Sequence, residues 1–320
     1  MKPFTRLGTK YNYFSDLIIL FLLSRKRRFE HDEVLLIMGD PRGGTTWLAE
    51  LLQNITNTSL LWEPLWIDRE ATFRNLGFSH RQYIPVDIEN ARIKEAFTNL
   101  FEGRILNPFL CQMTNPKELK SASQLIIKFC RANQLLPWLT ENFHFKFDPI
   151  YLIRHPCAVV ASQLKQGGWD HVPPHFDIPE NTLYPEFYTK HHAFLMQIDS
   201  KVKRLAAIWC LCNQIPLNSE NNNKRWVTIT YENLYENGES ELKKIENRWG
   251  IKLPDKCYEK LSTPSKTTVL SSDMYKREVS QLFSWSKNLT AKQIDEIMYV
   301  LDYFDIKLYD RDYFPKSIFE

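Results

Sequence analysis

Nothing in the 320-residue chain divides it. There is no Gly-, Ser- or Pro-rich linker and no shift in composition, so one domain over residues 1–320 is expected. The six cysteines, Cys111, Cys130, Cys157, Cys210, Cys212 and Cys257, lack paired C-x-x-C spacing. That argues against a zinc site, and since three of them fall in segments that read as buried, a reducing, cytoplasmic compartment fits best. A dominant charge is missing too: 41 basic and 38 acidic residues leave +3, too balanced for a general nucleic-acid binder, so any anion site must be local. The apolar run 17–23 is too short to span a bilayer. Its cations, Arg25, Lys26, Arg27 and Arg28, follow the run rather than precede it as in a signal peptide. The plain reading of segment 11–28 is a core helix ending in solvated charges, with docking on a membrane surface as the alternative.

What is present is enough apolar residue, 43% hydrophobic and 13% aromatic, to bury a large core without disulfide or metal. Runs rich in β-branched residues at 34–38, 125–129, 150–153 and 226–230 read as buried strands, and a further short strand precedes Glu63. Helical stretches at 45–54, 133–142, 158–165 and 194–214 alternate with them. The predicted fold class is α/β, a central parallel sheet flanked by helices. Thr290 and Gln293 form a capping-box pattern with Leu289 and Ile294 as a hydrophobic staple, and Gly250 is placed to stop the preceding helix. Residues 167–192, rich in Pro, His and aromatics without a period, read as a long loop covering a site.

The first strand runs into Gly39-Asp40-Pro41-Arg42-Gly43-Gly44-Thr45-Thr46-Trp47 and then a helical pattern. Strand, glycine loop, helix is the setting in which backbone N–H groups and a helix N-terminus cradle phosphate. A kinase or ATPase loop would carry lysine where Thr45 stands, and here the cation comes earlier, at Arg42. A second signature, Arg154-His155-Pro156 through Ser162, follows another strand, with Pro156 placed to open a helix. A third is Thr230-Tyr231-Glu232-Asn233-Leu234 at the end of a later strand.

Together these motifs resemble those of the PAPS-dependent sulfotransferases, which have a P-loop-like fold; PAPS is 3'-phosphoadenosine 5'-phosphosulfate. The resemblance implies that Arg42, Gly43, Gly44, Thr45 and Thr46 hold the 5'-phosphosulfate and that Trp47 stacks on adenine. It implies further that Arg154 and Ser162 grip the 3'-phosphate and that Tyr231 approaches the base. Ser265 and Arg277 stand where the family supplies late nucleotide contacts. PAPS would be donor and PAP product, with no metal.

Sulfuryl transfer needs positioned cations and a proton acceptor. Arg42 supplies one cation, and by the resemblance Lys128, at a strand end, supplies another. Cytosolic family members place a His two residues after that Lys, where this chain has Cys130. Glu63, in Trp62-Glu63-Pro64, is similar to a Glu element of carbohydrate-modifying members and is the favoured base, with His171 and His175 next. Plainer readings stay open: a core aromatic for Trp47, a snorkelling lysine for Lys128, a turn ion pair for Glu63. The acceptor would be a hydroxyl or amine of a carbohydrate or small natural product. The rival functions are a P-loop small-molecule kinase, a non-catalytic nucleotide-binding module, and a membrane-surface scaffold resting on residues 17–28.

Overall fold

The computed structural model describes residues 10–26, 28–166, 183–265 and 282–316. Its centre is five strands: β1 (Leu35–Gly39), β2 (Thr58–Trp62), β3 (Gln124–Phe129), β4 (Ile150–Ile153) and β5 (Val227–Thr230). They pair in parallel in the order β2-β3-β1-β4-β5. Side chains alternate across a strand, so both faces of a helix-covered parallel sheet must be apolar. Leu36 and Met38 of β1 enter one core together with Ile127, Phe129 and Tyr151, while Leu35 and Ile37 enter the other with Ile126, Leu152 and Ile229.

Helix boundaries follow local chemistry. The helix α2 (Thr45–Leu52) starts directly at the glycine loop. The expected 133–142 helix is divided, because Pro137 sits in the first turn of the helix Leu136–Asn142 and a 3-10 turn, Asn133–Leu135, precedes it. The expected 194–214 helix is also corrected. Ser200 accepts from the Lys203 N–H and starts the helix Lys201–Asn218, leaving His192–Leu195 as a separate turn. Gly250, at φ 64, ends the helix Gly238–Trp249, and the Thr290/Gln293 capping box opens Ala291–Tyr303. Within the expected 167–192 loop, residues 167–182 lie outside the described residues; after them the chain forms the helix Glu186–Lys190 rather than staying irregular.

The first helix, α1 (Lys10–Lys26), is not the core helix its composition promised. Leu20 is buried, yet Ile18, Phe21 and Leu22 stand 50%, 54% and 43% exposed, because residues 16–26 of α1 pack by one side only. No helix among the described residues is long and apolar enough to cross a membrane.

A buried polar knot fixes the start of the glycine loop. Asn213 donates through Nδ2 to Asp40 Oδ2 (2.7 Å) and to the Trp209 carbonyl (2.7 Å). Its Oδ1 accepts from the Tyr151 hydroxyl (2.6 Å) and from Asn133 Nδ2 (3.0 Å). One side chain thus joins the loop, β4, the 3-10 turn and the Lys201–Asn218 helix.

Burial raises the Asp40 pKa from 3.8 to about 6, against the opposing Asn213 hydrogen bond and Arg81 charge. A carboxyl raised in the folded state favours folding while protonated, so stability should fall as pH rises from about 4 to about 6 and stay lower above. Asp40→Asn keeps an acceptor for Asn213 but cannot ionise. It should flatten that slope and gain up to about 3 kcal/mol at neutral pH, measured by urea unfolding across this range. An unchanged slope would remove Asp40 as its source.

Candidate functional site

Parallel strands point their C-terminal ends one way, and each of the five strands delivers a residue there. Gly39 ends β1 at the glycine loop, and Glu63 follows β2. Lys128 stands near the end of β3, Arg154 follows β4, and Tyr231 follows β5.

The loop leaves β1 through a tight turn in which the Gly43 N–H donates to the Asp40 carbonyl (2.8 Å). Gly44 takes φ 96, and a Cβ there would lie 2.4 Å from Tyr231 Cδ2, so both the backbone and the Tyr231 ring demand glycine. Arg42 also has a left-handed backbone, φ 73, a conformation costly for a residue with a side chain. Its Nε donates to Ser162 Oγ (2.9 Å), while Arg154 Nη1 donates to the Arg42 carbonyl (3.1 Å). The Arg154 guanidinium also lies 4.0 Å from the Tyr231 ring centroid.

Arg42, Ser162, Arg154 and Tyr231 therefore form one contact group. Among the described residues no carboxylate forms an ion pair with Arg42 or Arg154, and Arg154 Nε is buried without a partner. Burial, then the Arg154 charge, lowers the Arg42 pKa. Two crowded cations in a low-dielectric setting are costly until an anion meets them, so these residues fit a phosphate group.

Beside them, the end of β3 holds a compensated cluster. Glu63, at φ 46, places Oε1 2.9 Å from Lys128 Nζ and Oε2 2.6 Å from Arg131 Nη1. Lys128 also donates to Cys130 Sγ (3.1 Å), and its ammonium lies 3.7 Å from the Trp62 ring centroid. Arg131 lies 4.5 Å from that of Trp66. Burial alone would raise the Glu63 pKa, but the charges and hydrogen bonds of Lys128 and Arg131 outweigh it and hold the carboxyl at about 2. Burial would lower Lys128, and the facing Cys130 sulfur and Glu63 carboxylate more than offset it. The Cys130 thiol is raised, first by burial and then by Glu63.

Other expected residues fall as follows. Thr45 Oγ1 meets Cys130 Sγ (3.3 Å), tying the loop to β3, and Thr46 is half-buried. Trp47 is buried, its ring 5.8 Å from Tyr231 and 6.4 Å from Tyr235, which makes it at least a packing residue of the apolar layer. Ser265 donates to Glu50 Oε1 (3.2 Å) on the α2 side. Arg277, His171 and His175 lie outside the described residues.

Sequence reasoning missed Arg131, although a second cation three positions after Lys128 at a strand end was a usable signal. It also missed His80, which carries no motif. His80 Nε2 is 3.2 Å from Asp68 Oδ2, and its Nδ1 is buried without a partner. Burial, then Arg131 and Arg81, lowers its pKa, which keeps the ring neutral at neutral pH.

Several solved structures are similar over most of their length. One is the sulfotransferase domain of the Synechococcus PCC 7002 olefin synthase, at 17% identity, covering 90% of this chain and 98% of that one, with a TM-score of 0.44. Mouse sulfotransferase SULT7A1, crystallised with PAP, shows 15% identity, 90% and 89% coverage, and a TM-score of 0.44. The sulfotransferase domain from the curacin biosynthetic pathway shows 14% identity, 85% and 97% coverage, and 0.47. At these values they carry no argument about the chemistry. No curated protein matches the chain. The model of the sulfotransferase domain matches residues 32–300, from just before β1 into the last helix, and the chain therefore belongs to the sulfotransferase family.

Proposed function

We propose that the chain transfers a sulfuryl group from PAPS to a hydroxyl or amine of a carbohydrate or small natural product. The observation that carries the donor assignment is the Arg42–Arg154 pair, two cations at adjacent strand ends that have no carboxylate ion pair among the described residues, where Arg154 Nε also lacks a partner. Arg154 and Ser162 would hold the 3'-phosphate, with the loop from Arg42 to Thr46 on the 5' side and Trp47 and Tyr231 beside the base. When bound, PAPS supplies an activated sulfuryl group whose departure from phosphate leaves negative charge. Arg42 meets that charge, and Lys128 serves the sulfuryl oxygens.

Glu63 is the proposed proton acceptor for the attacking hydroxyl. Held between two cations it is a weak base. Each cation that turns from it toward substrate raises its proton affinity, so Lys128 engaging the sulfuryl group readies Glu63. A second reading rests on His80: neutral, oriented by Asp68, with Nδ1 free to accept. A kinase is disfavoured by Thr45 in the lysine position. A module that only holds nucleotide shares every anion contact and differs only in turnover.

With a 3'-phosphate grip, 3',5'-ADP at about 100 times its Kd should stabilise the protein by about 2.7 kcal/mol, and 5'-AMP at the same concentration far less. Equal melting shifts would remove the grip. Transfer should also persist in EDTA, since the loop lacks the kinase lysine and the proposal uses no metal; loss restored by magnesium would return the kinase reading.

Variants separate grip from chemistry. Arg154→Ala should weaken donor binding by about 2–5 kcal/mol. Glu63→Gln should cost about 10²- to 10⁴-fold in kcat with donor affinity nearly unchanged. The pH profile separates the two bases. A His80 base loses activity as pH falls through its lowered pKa, below 6.5, and His80→Gln removes that limb. A Glu63 base works well below that pH.

A further inference from the structure

The helix α1 carries apolar side chains around its circumference, a pattern suited to a helix covered on all sides. Among the described residues only one side of its 16–26 stretch is covered: Leu20 is buried and Leu23 packs on the core, whereas Ile18, Phe21 and Leu22 are exposed. At i, i+3 and i+4 these three share one face. Arg25 continues the stripe by a turn, its guanidinium 4.5 Å from the Phe21 ring centroid. Lys26 and Arg28 are exposed beside it, and Arg28 Nη1 donates to the Ser24 carbonyl at the helix end. Asp16 precedes the stripe by two residues but falls on the side of the helix away from Ile18, and the acids that follow are Glu30, Asp32 and Glu33, of which Glu33 is paired with Lys146.

The position of α1 in the fold matters as much as its composition. The chain leaves α1 through Phe29, whose N–H donates to the Glu102 carbonyl (3.2 Å). It then passes Glu33, whose carbonyl accepts from Gln124 Nε2 (2.6 Å) where β1 and β3 begin. The helix is thus attached at the N-terminal edge of the sheet, opposite the strand ends that gather Arg42, Lys128 and Arg154. A surface engaged there leaves the site open.

We propose that this face of α1 docks on an anionic lipid surface, with Ile18, Phe21 and Leu22 entering the headgroup boundary and Arg25, Lys26 and Arg28 meeting lipid phosphates. Charge selects this occupant. A second copy of the same face would bring more cations and no acid, whereas an anionic bilayer offers an apolar interior beneath a negative surface. Three apolar side chains insert weakly, so binding depends on both contributions and is reversed by salt.

The test is flotation of the full chain with phosphatidylcholine vesicles, with and without phosphatidylserine, at low and high salt. The expected result is binding to the phosphatidylserine vesicles at low salt only. Ile18→Ser/Phe21→Ser/Leu22→Ser should weaken it roughly tenfold or more, and Arg25→Glu/Lys26→Glu should do likewise. The charge variant, on exposed side chains, guards against misfolding of the apolar one, and both are checked by melting temperature. Three results would overturn the proposal: no binding to anionic vesicles, equal binding by wild type and charge variant, or a dimer in solution that the apolar variant dissociates.

Discussion

A parallel sheet closes off both its faces. The crossovers that return each strand to the same end lay helices across the two sides, and the alternation of Leu36 and Met38 with Leu35 and Ile37 shows how completely those sides are used for packing. What stays open is the edge where the strands end. In this protein each of the five strands contributes there, so residues as far apart in sequence as Arg42, Glu63, Lys128, Arg154 and Tyr231 meet with little help from long loops.

That edge is electrostatically uneven. Toward β2 and β3, Glu63 neutralises Lys128 and Arg131, and Trp62 and Trp66 flank the two cations. Toward β4, Arg154 donates to the Arg42 carbonyl and Arg42 to Ser162, and among the described residues neither cation has an acid as ion-pair partner. A buried ion pair costs much of its attraction in desolvation, and its geometric definition is then its clearer use. An unpaired pair of cations has no such return until an anion arrives. The left-handed backbones of Arg42 and Glu63 belong to the same picture, because each lies at a turn where strain is held by surrounding contacts.

Much of this was legible in the sequence, for identifiable reasons. Strands β1, β3, β4 and β5 announce themselves as β-branched runs, and the glycine loop and the Arg154–Ser162 segment stand out as local patterns at strand ends. Gly250 and the Thr290 capping box act within a turn, so their readings held. The helix 194–214 started too early because apolar periodicity continues across Ser200, and only the cap tells where the helix begins. Arg131 was overlooked although it follows Lys128 by three positions, whereas His80 and Asn213 were opaque because their roles come from segments that meet only after folding. For α1, composition spoke for burial while only tertiary packing could say on how many sides. An ion pair for Glu63 at its turn was one of the readings open in the sequence, but that two cations share the carboxylate was not, since a carboxylate before a proline does not reveal how many groups face it.

The indoles of this edge give the site an optical signature of its own. Trp62 lies under an ammonium, Trp66 under a guanidinium, and Trp47 against Tyr231, which in turn carries Arg154. Emission from an indole responds to the electric field across it, so any event that draws Lys128 or Arg131 off its ring changes the colour and yield of that ring's fluorescence. The same stacking that holds the cations in place makes their movements visible without a label.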